Sequence, residues 1–516
     1  MKLGIEIGTD VARAAFLDND GQPHLVTLAN SQTCLSTLAR QTMHGLLIGD
    51  DAAQTLAGNS ETTVCGCTRL MGKTDDQLAS LLARLPYAAR QIDGEVVCDL
   101  LYAEARISDI YGKIAKMLVD QASQSLQRVI DSVVLTVPAS AEDRFRVQAK
   151  TAAEAQGIRI ERLINQPTAS LLAAKHHGLW PESKAKVAIV HCGGSSLDIS
   201  IADQGTETYI AATAGDDQLG GDDFAWFVAK KLNEHFRQQA QVDILATGHS
   251  KIAAYGLQGA ADQALQALNL APKTMFTLDH GGGFGRDLYL TLYRTNVIAW
   301  LEPLLQKIDA LVKQTLTKAK LQARHIDHVL LTGEWAFIPG LQQAIADSFQ
   351  RPVSKLIHKN PAILPVFGAA LASASTSERI WDVTPYPLGI NCYYGKHERF
   401  SPIVPANSRI PTKAIGSKKA FTASYQTRYA NQTSVTLDIL QYRGRQDPNP
   451  NGRSPVSPDQ CEVLGTWTFD DLSPKRGQCA AFTVTFEVDQ DGILHLFAQE
   501  TTTGHSLTAT VNRNIG

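Results

Sequence analysis

The stretch VAIVHCGGSSLDIS, residues 187–200, runs an apolar strand into two glycines and two serines before alternation resumes around Asp198. Glycines at such a turn leave backbone N–H groups uncovered, and a row of uncovered amides can cradle phosphate oxygens. IEIGTD, residues 5–10, has the same form, with Gly8, Thr9 and Asp10 turning the chain after the alternating Leu3, Ile5 and Ile7. Phosphate chemistry with a bound cation calls for carboxylates beside these turns. Glu6 supplies one in the first, but His191 closes the strand of the second. A tight hairpin favours glycine on its own account, so one copy alone reads as a plain turn and the pair is the signal.

The elements around the two hairpins follow one plan. LGIEIGTDVARAAFLDNDG and VAIVHCGGSSLDISIADQG each read as strand, glycine turn, strand and polar turn, which implies a duplicated α/β core with two lobes and a cleft between them. ISDIYGKIAKMLVDQASQSL, AEDRFRVQAKTAAEAQG and DDFAWFVAKKLNEHF carry apolar residues at helical spacing, and VIDSVVLTVPAS reads as a buried strand ending at Pro138. After about residue 382 the period changes to two. Segments such as DVTPYPLGINCYY, TSVTLDILQYR, QCAAFTVTFEVD and GILHLFAQE predict an all-β domain, interrupted by the proline- and asparagine-rich RGRQDPNPNGRSPVSPDQ, which reads as a mobile loop.

At 516 residues and 44% apolar composition the chain can build several cores, and 48 basic against 51 acidic residues give a net charge of -3 that steers it toward no polyanion. Nucleic acid is not an expected partner, and neither is a membrane. The N-terminus, broken by Glu6 and Asp10, has no signal-peptide form and no stretch is long and apolar enough to span a bilayer, so a cytoplasmic location is expected. Eight cysteines are too sparse for a disulfide framework, and Cys65 and Cys67, flanking one glycine, read as buried thiols rather than half of a zinc site.

In order and spacing these segments resemble the seventy-kilodalton heat-shock chaperones of the DnaK type over nearly the whole chain. IEIGTD resembles that family's first phosphate loop, RLMGK the segment after its catalytic lysine, and VVLTVPAS and INQPTAS its lobe-joining motifs. HCGGSSLDISI resembles the second phosphate loop, TAGDDQLGGDDF the segment that follows it, LLTGEWAFIP the adenosine motif, and NPAILPVFGAALAS the last helix of the nucleotide domain. DVTPYPLGI and DGILHLFA resemble strands that open and close the peptide-binding sandwich. The resemblance implies an α/β fold class: a duplicated actin-like, ribonuclease H-like, two-lobed ATPase domain at 1–376, a linker at 377–381, and an all-β peptide-binding sandwich at 382–516. It also implies ATP or ADP with Mg as cofactor, and as partners unfolded or extended apolar peptides, a J-domain co-chaperone and a nucleotide exchange factor.

The departures from the family fall on its chemistry. The positions of its catalytic lysine, glutamate and aspartate are matched by Thr68, Gln166 and His191, leaving Glu6 to position the metal through water. With the lysine and two carboxylates gone, the metal and the attacking water lose their partners, so little hydrolysis and weak or lost nucleotide binding are expected. Phosphate contacts remain at Gly8, Thr9, Asp10, Gly193, Gly194, Ser195, Ser196, Asp198, Gly220 and Gly221. On the adenosine side Asp262 and Gly333 are kept, Leu265, Gln266 and Asn269 replace polar or basic contacts, and Phe337 takes the place of a stacking arginine. Phe337 and Trp335 suit core packing as well as base contact.

The β domain departs less. Leu388, Ile390, Tyr393, Tyr425, Val435 and Leu437 match the family's peptide cleft, and Arg428 stands where its arch has a small residue. The same residues also suit an ordinary sandwich core. The chain stops at HSLTATVNRNIG, where the sandwich ends, so the family's helical lid is expected to be absent and peptide exchange fast. Arg162, Pro138 and Asp382 match coupling positions, but the linker keeps only Ile380 and Trp381 of an aliphatic run. Three readings follow: a peptide-binding chaperone-type protein with little ATPase activity, an ATP-switched chaperone with slow turnover, or a pseudo-ATPase adaptor docking one folded partner.

Overall fold

The computed structural model describes every residue except 57–58, 83, 247–250, 280–286, 375–379, 413–420, 445–447, 449–455 and 511–516. Most of the loop expected to be mobile at 443–460, and residues 377–379 of the expected linker, lie outside the described residues.

Two sheets repeat one arrangement. In the first, the strand Lys2–Ile7 runs parallel to Ser132–Val137 and antiparallel to Val11–Leu17, and Ile160–Asn165 lies parallel beyond. In the second, Ala185–Cys192 runs parallel to His328–Thr332 and antiparallel to Leu197–Gln204. Each glycine turn therefore joins a central strand to its antiparallel neighbour. The central strands are buried on both faces, which is why they read as apolar runs.

The helices Gln166–His176 and Leu364–Ala372 cross beneath the cleft. A Cβ on Gly368 would lie 1.8 Å from the carbonyl oxygen of Ala169, and one on Gly4 would lie 2.1 Å from the amide nitrogen of Ala370. Glycine at both points lets one backbone rest on the next. In the second lobe the helix Gly221–Ala240 packs with Lys251–Leu270 and Arg294–Lys318 around Phe224, Leu257 and Leu301.

The chain divides into two compact units, the smaller of which holds the β domain. One of its sheets has the order His397–Val404, Leu388–Tyr394, Val435–Tyr442 and Cys461–Phe469; the other has Phe421–Gln426, Ala481–Val488, Leu494–Glu500 and Ser506–Thr510. Neighbouring strands are antiparallel throughout. Leu437, Ile439, Phe469, Phe482, Phe486 and Leu496 fill the space between the sheets, as the alternating pattern requires.

Candidate functional site

In the larger unit the two glycine turns lie against each other at the base of the cleft. A Cβ on Gly194 would approach Thr9 Cβ to 2.7 Å and Asp10 Oδ2 to 3.1 Å. The turns also use their own hydrogen-bonding groups. Gly8 N–H donates to the Val11 carbonyl at 3.0 Å, and Gly193 N–H to the Ser196 carbonyl at 2.9 Å. The helix Gly221–Ala240 begins beside them, and an uncapped helix start is an anion site. Here Gly221 N–H donates to the Gly193 carbonyl and Asp222 N–H to the Gly194 carbonyl, each at 2.9 Å. Gly220 N–H donates to Asp223 Oδ2 at 3.0 Å. These amides are therefore engaged within the protein. Half-buried Ser195 lies in the second turn, while Ser196 Oγ donates to Asp198 Oδ2 at 3.1 Å. Asp198 is fully buried and also accepts from Ser140 N–H at 2.9 Å, so it ties the second turn to the end of the Ser132–Val137 segment.

Glu6 and Gln166 meet, with Gln166 Nε2 donating to Glu6 Oε1 at 3.2 Å. Burial pushes the Glu6 carboxyl up to about 8; Arg13 pulls it down, Glu334 pushes it up, and the Gln166 bond lowers it. Glu6 is consequently a neutral acid at pH 7. Burial pushes His191 down to about 3, so it too is neutral. Its ring folds back under the second turn, where a Cβ on Gly193 would lie 3.5 Å from His191 Nε2. Neither Glu6 Oε2 nor His191 Nδ1 has a hydrogen-bond partner among the described residues. Thr68 Oγ1 lies 3.4 Å from Thr9 Oγ1, beside the first turn.

Charge pairs cross the cleft between the lobes. Arg13 donates to Glu334 Oε1 at 2.6 Å, Arg84 to Asp223 Oδ1 at 2.7 Å, and Arg69 to that same oxygen; Lys73 pairs with Asp217. The Trp335 indole lies on the backbone of Gly221, where a Cβ would come within 2.1 Å of the ring, and its N–H reaches Asp10 Oδ2 at 3.4 Å. Sequence reasoning missed Arg13, Arg69, Arg84 and Asp223 as ties, although an arginine in the apolar strand VARAAFL was a signal that an acid had to face it.

Beside these pairs is a cavity of about 150 Å³ lined by Thr9, Asp10, Tyr87, Asp222, Tyr255 and Asp262, among others. Asp10 is exposed to solvent there; the protein packed around it, then Asp222 and Glu334, push its carboxyl above the ordinary range. Burial also pushes Asp222 and Asp262 up to about 6. Asp262 accepts from Gln266 Nε2 at 3.1 Å, and Leu265 is core. Gly333 has φ 93°, a conformation that suits glycine, and its missing Cβ lets it approach the Cys192 carbonyl. Phe337 is 39% exposed and meets His358 edge-on at 5.6 Å, whereas Trp335 belongs to the core.

In the smaller unit the expected cleft residues converge. Ile390, Tyr393, Tyr425, Arg428, Val435 and Leu437 line one groove of about 790 Å³, joined by Asn391, Gln426, Gln432 and Phe482, which sequence reasoning did not single out. Leu388 lies instead in the core of the sandwich. Ile390 and Leu437 are buried, and Val435 is half-buried. Over the groove the Arg428 guanidinium stacks on the Tyr393 ring, 3.7 Å from its centroid. Tyr425 hydroxyl and Ser401 Oγ are 2.9 Å apart, joining the two sheets at this end.

A duplicated actin-like ATPase fold followed by a grooved β-sandwich is the architecture of an ATPase-type chaperone. The sequence profile described as "Hsp70 protein" matches residues 2–516, and the chain belongs to that family. It is similar to the "Chaperone protein dnaK" of Cyanidioschyzon merolae, with 29% identity over 526 aligned positions, covering 99% of this chain and 81% of that relative. The family binds ATP and ADP with magnesium.

The residues at the matching positions do not fit that group in this arrangement. Magnesium takes hard, anionic oxygen ligands; at the matching positions an amide at Gln166 and an imidazole at His191 leave Glu6 as the one carboxyl group. The described residues hold no cluster of three or more acidic, histidine or cysteine side chains suited to a metal. The amides of Gly8, Gly193, Gly221 and Asp222 are bonded within the turns themselves. Among the described residues no helix is long and apolar enough to cross a membrane.

Proposed function

We propose that this protein is an Hsp70-family chaperone that binds extended apolar segments in the groove of its β domain, with weak nucleotide binding and little or no ATP hydrolysis. One observation carries the reading: Ile390, Tyr393, Tyr425, Arg428, Val435 and Leu437, separated in sequence, line a single groove. Buried Ile390 and Leu437 offer an apolar floor, Val435 narrows it, and neighbouring strand edges supply main-chain partners for an extended segment. The nucleotide side of the reading is supported by the neutral Glu6–Gln166 pair, the neutral His191 and the internally bonded turns. With an amide at Gln166 and an imidazole at His191 where carboxylates are expected, a metal triphosphate loses much of the stabilisation that holds and hydrolyses it. Partners of the proposed activity are unfolded or extended apolar peptides, with a J-domain co-chaperone and an exchange factor as regulators.

The test is fluorescence anisotropy on the full chain with a labelled apolar heptapeptide, with and without Mg-ATP. Binding with an affinity unchanged by nucleotide is expected. Val435→Phe should abolish it while leaving the protein folded, since overpacking costs about 1–3 kcal/mol. A several-fold change with ATP would mean a nucleotide-switched chaperone, and no binding at all would remove the groove reading.

A further inference from the structure

We infer that the groove selects apolar segments carrying an aspartate or glutamate beside the apolar anchor. This rests on the peptide-binding reading above and adds a substrate class to it. Arg428 is the one charged residue among those lining the groove. It has no ion-pair partner within 4 Å among the described residues, and its guanidinium face is occupied by Tyr393 at 3.7 Å with Tyr429 at 5.3 Å. Stacking uses the face of the guanidinium, and one N–H at its edge reaches the Tyr393 hydroxyl, leaving further edge N–H groups that match a carboxylate.

The turn that carries Arg428 is pinned. Thr427 N–H donates to the Ala480 carbonyl at 2.9 Å, Ala480 N–H donates back to Thr427 Oγ1 at 2.9 Å, and Tyr429 N–H donates to Gln432 Oε1 at 3.2 Å. A cation held by backbone bonds and a ring loses little freedom when it takes a partner. Neither neighbouring acid is among the lining residues: Glu398 accepts from the Tyr393 hydroxyl, and Asp438 accepts from Thr466 Oγ1 at 2.8 Å. Asp438 follows groove-lining Leu437 in the same strand, so strand alternation turns it to the opposite face. A segment bearing lysine or arginine beside its anchor would meet Arg428 with no lining carboxylate to offset it.

The experiment uses the full chain and three labelled heptapeptides with one leucine anchor, differing only in whether glutamate, glutamine or lysine flanks it. The glutamate peptide should bind about fivefold tighter than the glutamine peptide, and the lysine peptide weakest, with the differences shrinking in high salt. Arg428→Gln should bring the three together, and Arg428→Glu should reverse their order; both changes lie at an exposed position and leave the core intact. Equal binding of all three by the native protein, or an order unchanged in Arg428→Gln, overturns the inference while the groove reading stands. If no peptide binds, or if Val435→Phe binds them all as before, the groove reading itself fails and takes this inference with it.

Discussion

Glu6 and His191 carry opposite pH liabilities. Glu6 ionises near its ordinary 4.5 in the unfolded chain but at about 8 when buried. Between those values unfolding releases a proton, so stability falls as pH rises, by up to about 1.4 kcal/mol per unit. His191 ionises near 6.5 unfolded and about 3 folded, so its contribution is lost as pH falls through that window. Glu6→Gln removes the first liability and keeps the oxygen that accepts from Gln166. Thermal unfolding should show the variant several degrees more stable than the native protein at pH 8.5 and equal to it at pH 5. Parallel melting curves at both pH values would mean that Glu6 is not the source of the alkaline loss.

At the scale of elements, the loop after the His328–Thr332 strand matters most. Glu334 and Trp335 follow Gly333 directly and reach across to Arg13 and Asp10 on the first hairpin. A double change, Glu334→Gly with Trp335→Ser, removes an ion pair and a buried ring, at a cost of about 3–5 kcal/mol for the ring alone. It also uncovers the start of the Gly221–Ala240 helix. In a thermal-shift assay the native protein should rise only slightly with Mg-ATP, whereas the variant should start lower and rise by a few degrees more with nucleotide. An equal rise in both proteins would show that the loop does not limit nucleotide access.

Over the whole molecule, the departures from family chemistry are spread across both lobes and act together. The native protein should release no phosphate from ATP above a heat-denatured control, with or without peptide. Thr68→Lys, Gln166→Glu and His191→Asp combined should not restore turnover by themselves, because Glu334 and Trp335 still bridge the cleft. Adding Glu334→Gly and Trp335→Ser to the three should do so, as a coupled phosphate-release assay would record. Turnover by the native chain, or by the triple variant alone, would overturn this account.

The repeated hairpin and the helical and period-two patterns were enough to foresee two α/β lobes and an all-β domain, because one buried face forces that periodicity on a strand or helix; that the β domain is a sandwich came from the family resemblance. The repeated glycine turns were legible in the same way, whereas Thr68, Gln166 and His191 as changed positions and the seven groove positions came only from the family resemblance; six of those seven line one groove. Only the tertiary structure decided which donors were already spent. That the amides of Gly221 and Asp222 bond to the second turn, that Asp198 is tied to Ser140, that Arg13 meets Glu334 and that Arg428 lies on Tyr393 are all pairings across long sequence distances or through backbone geometry. A sequence specifies which groups seek partners; packing decides which ones they find, and so which are left for a ligand.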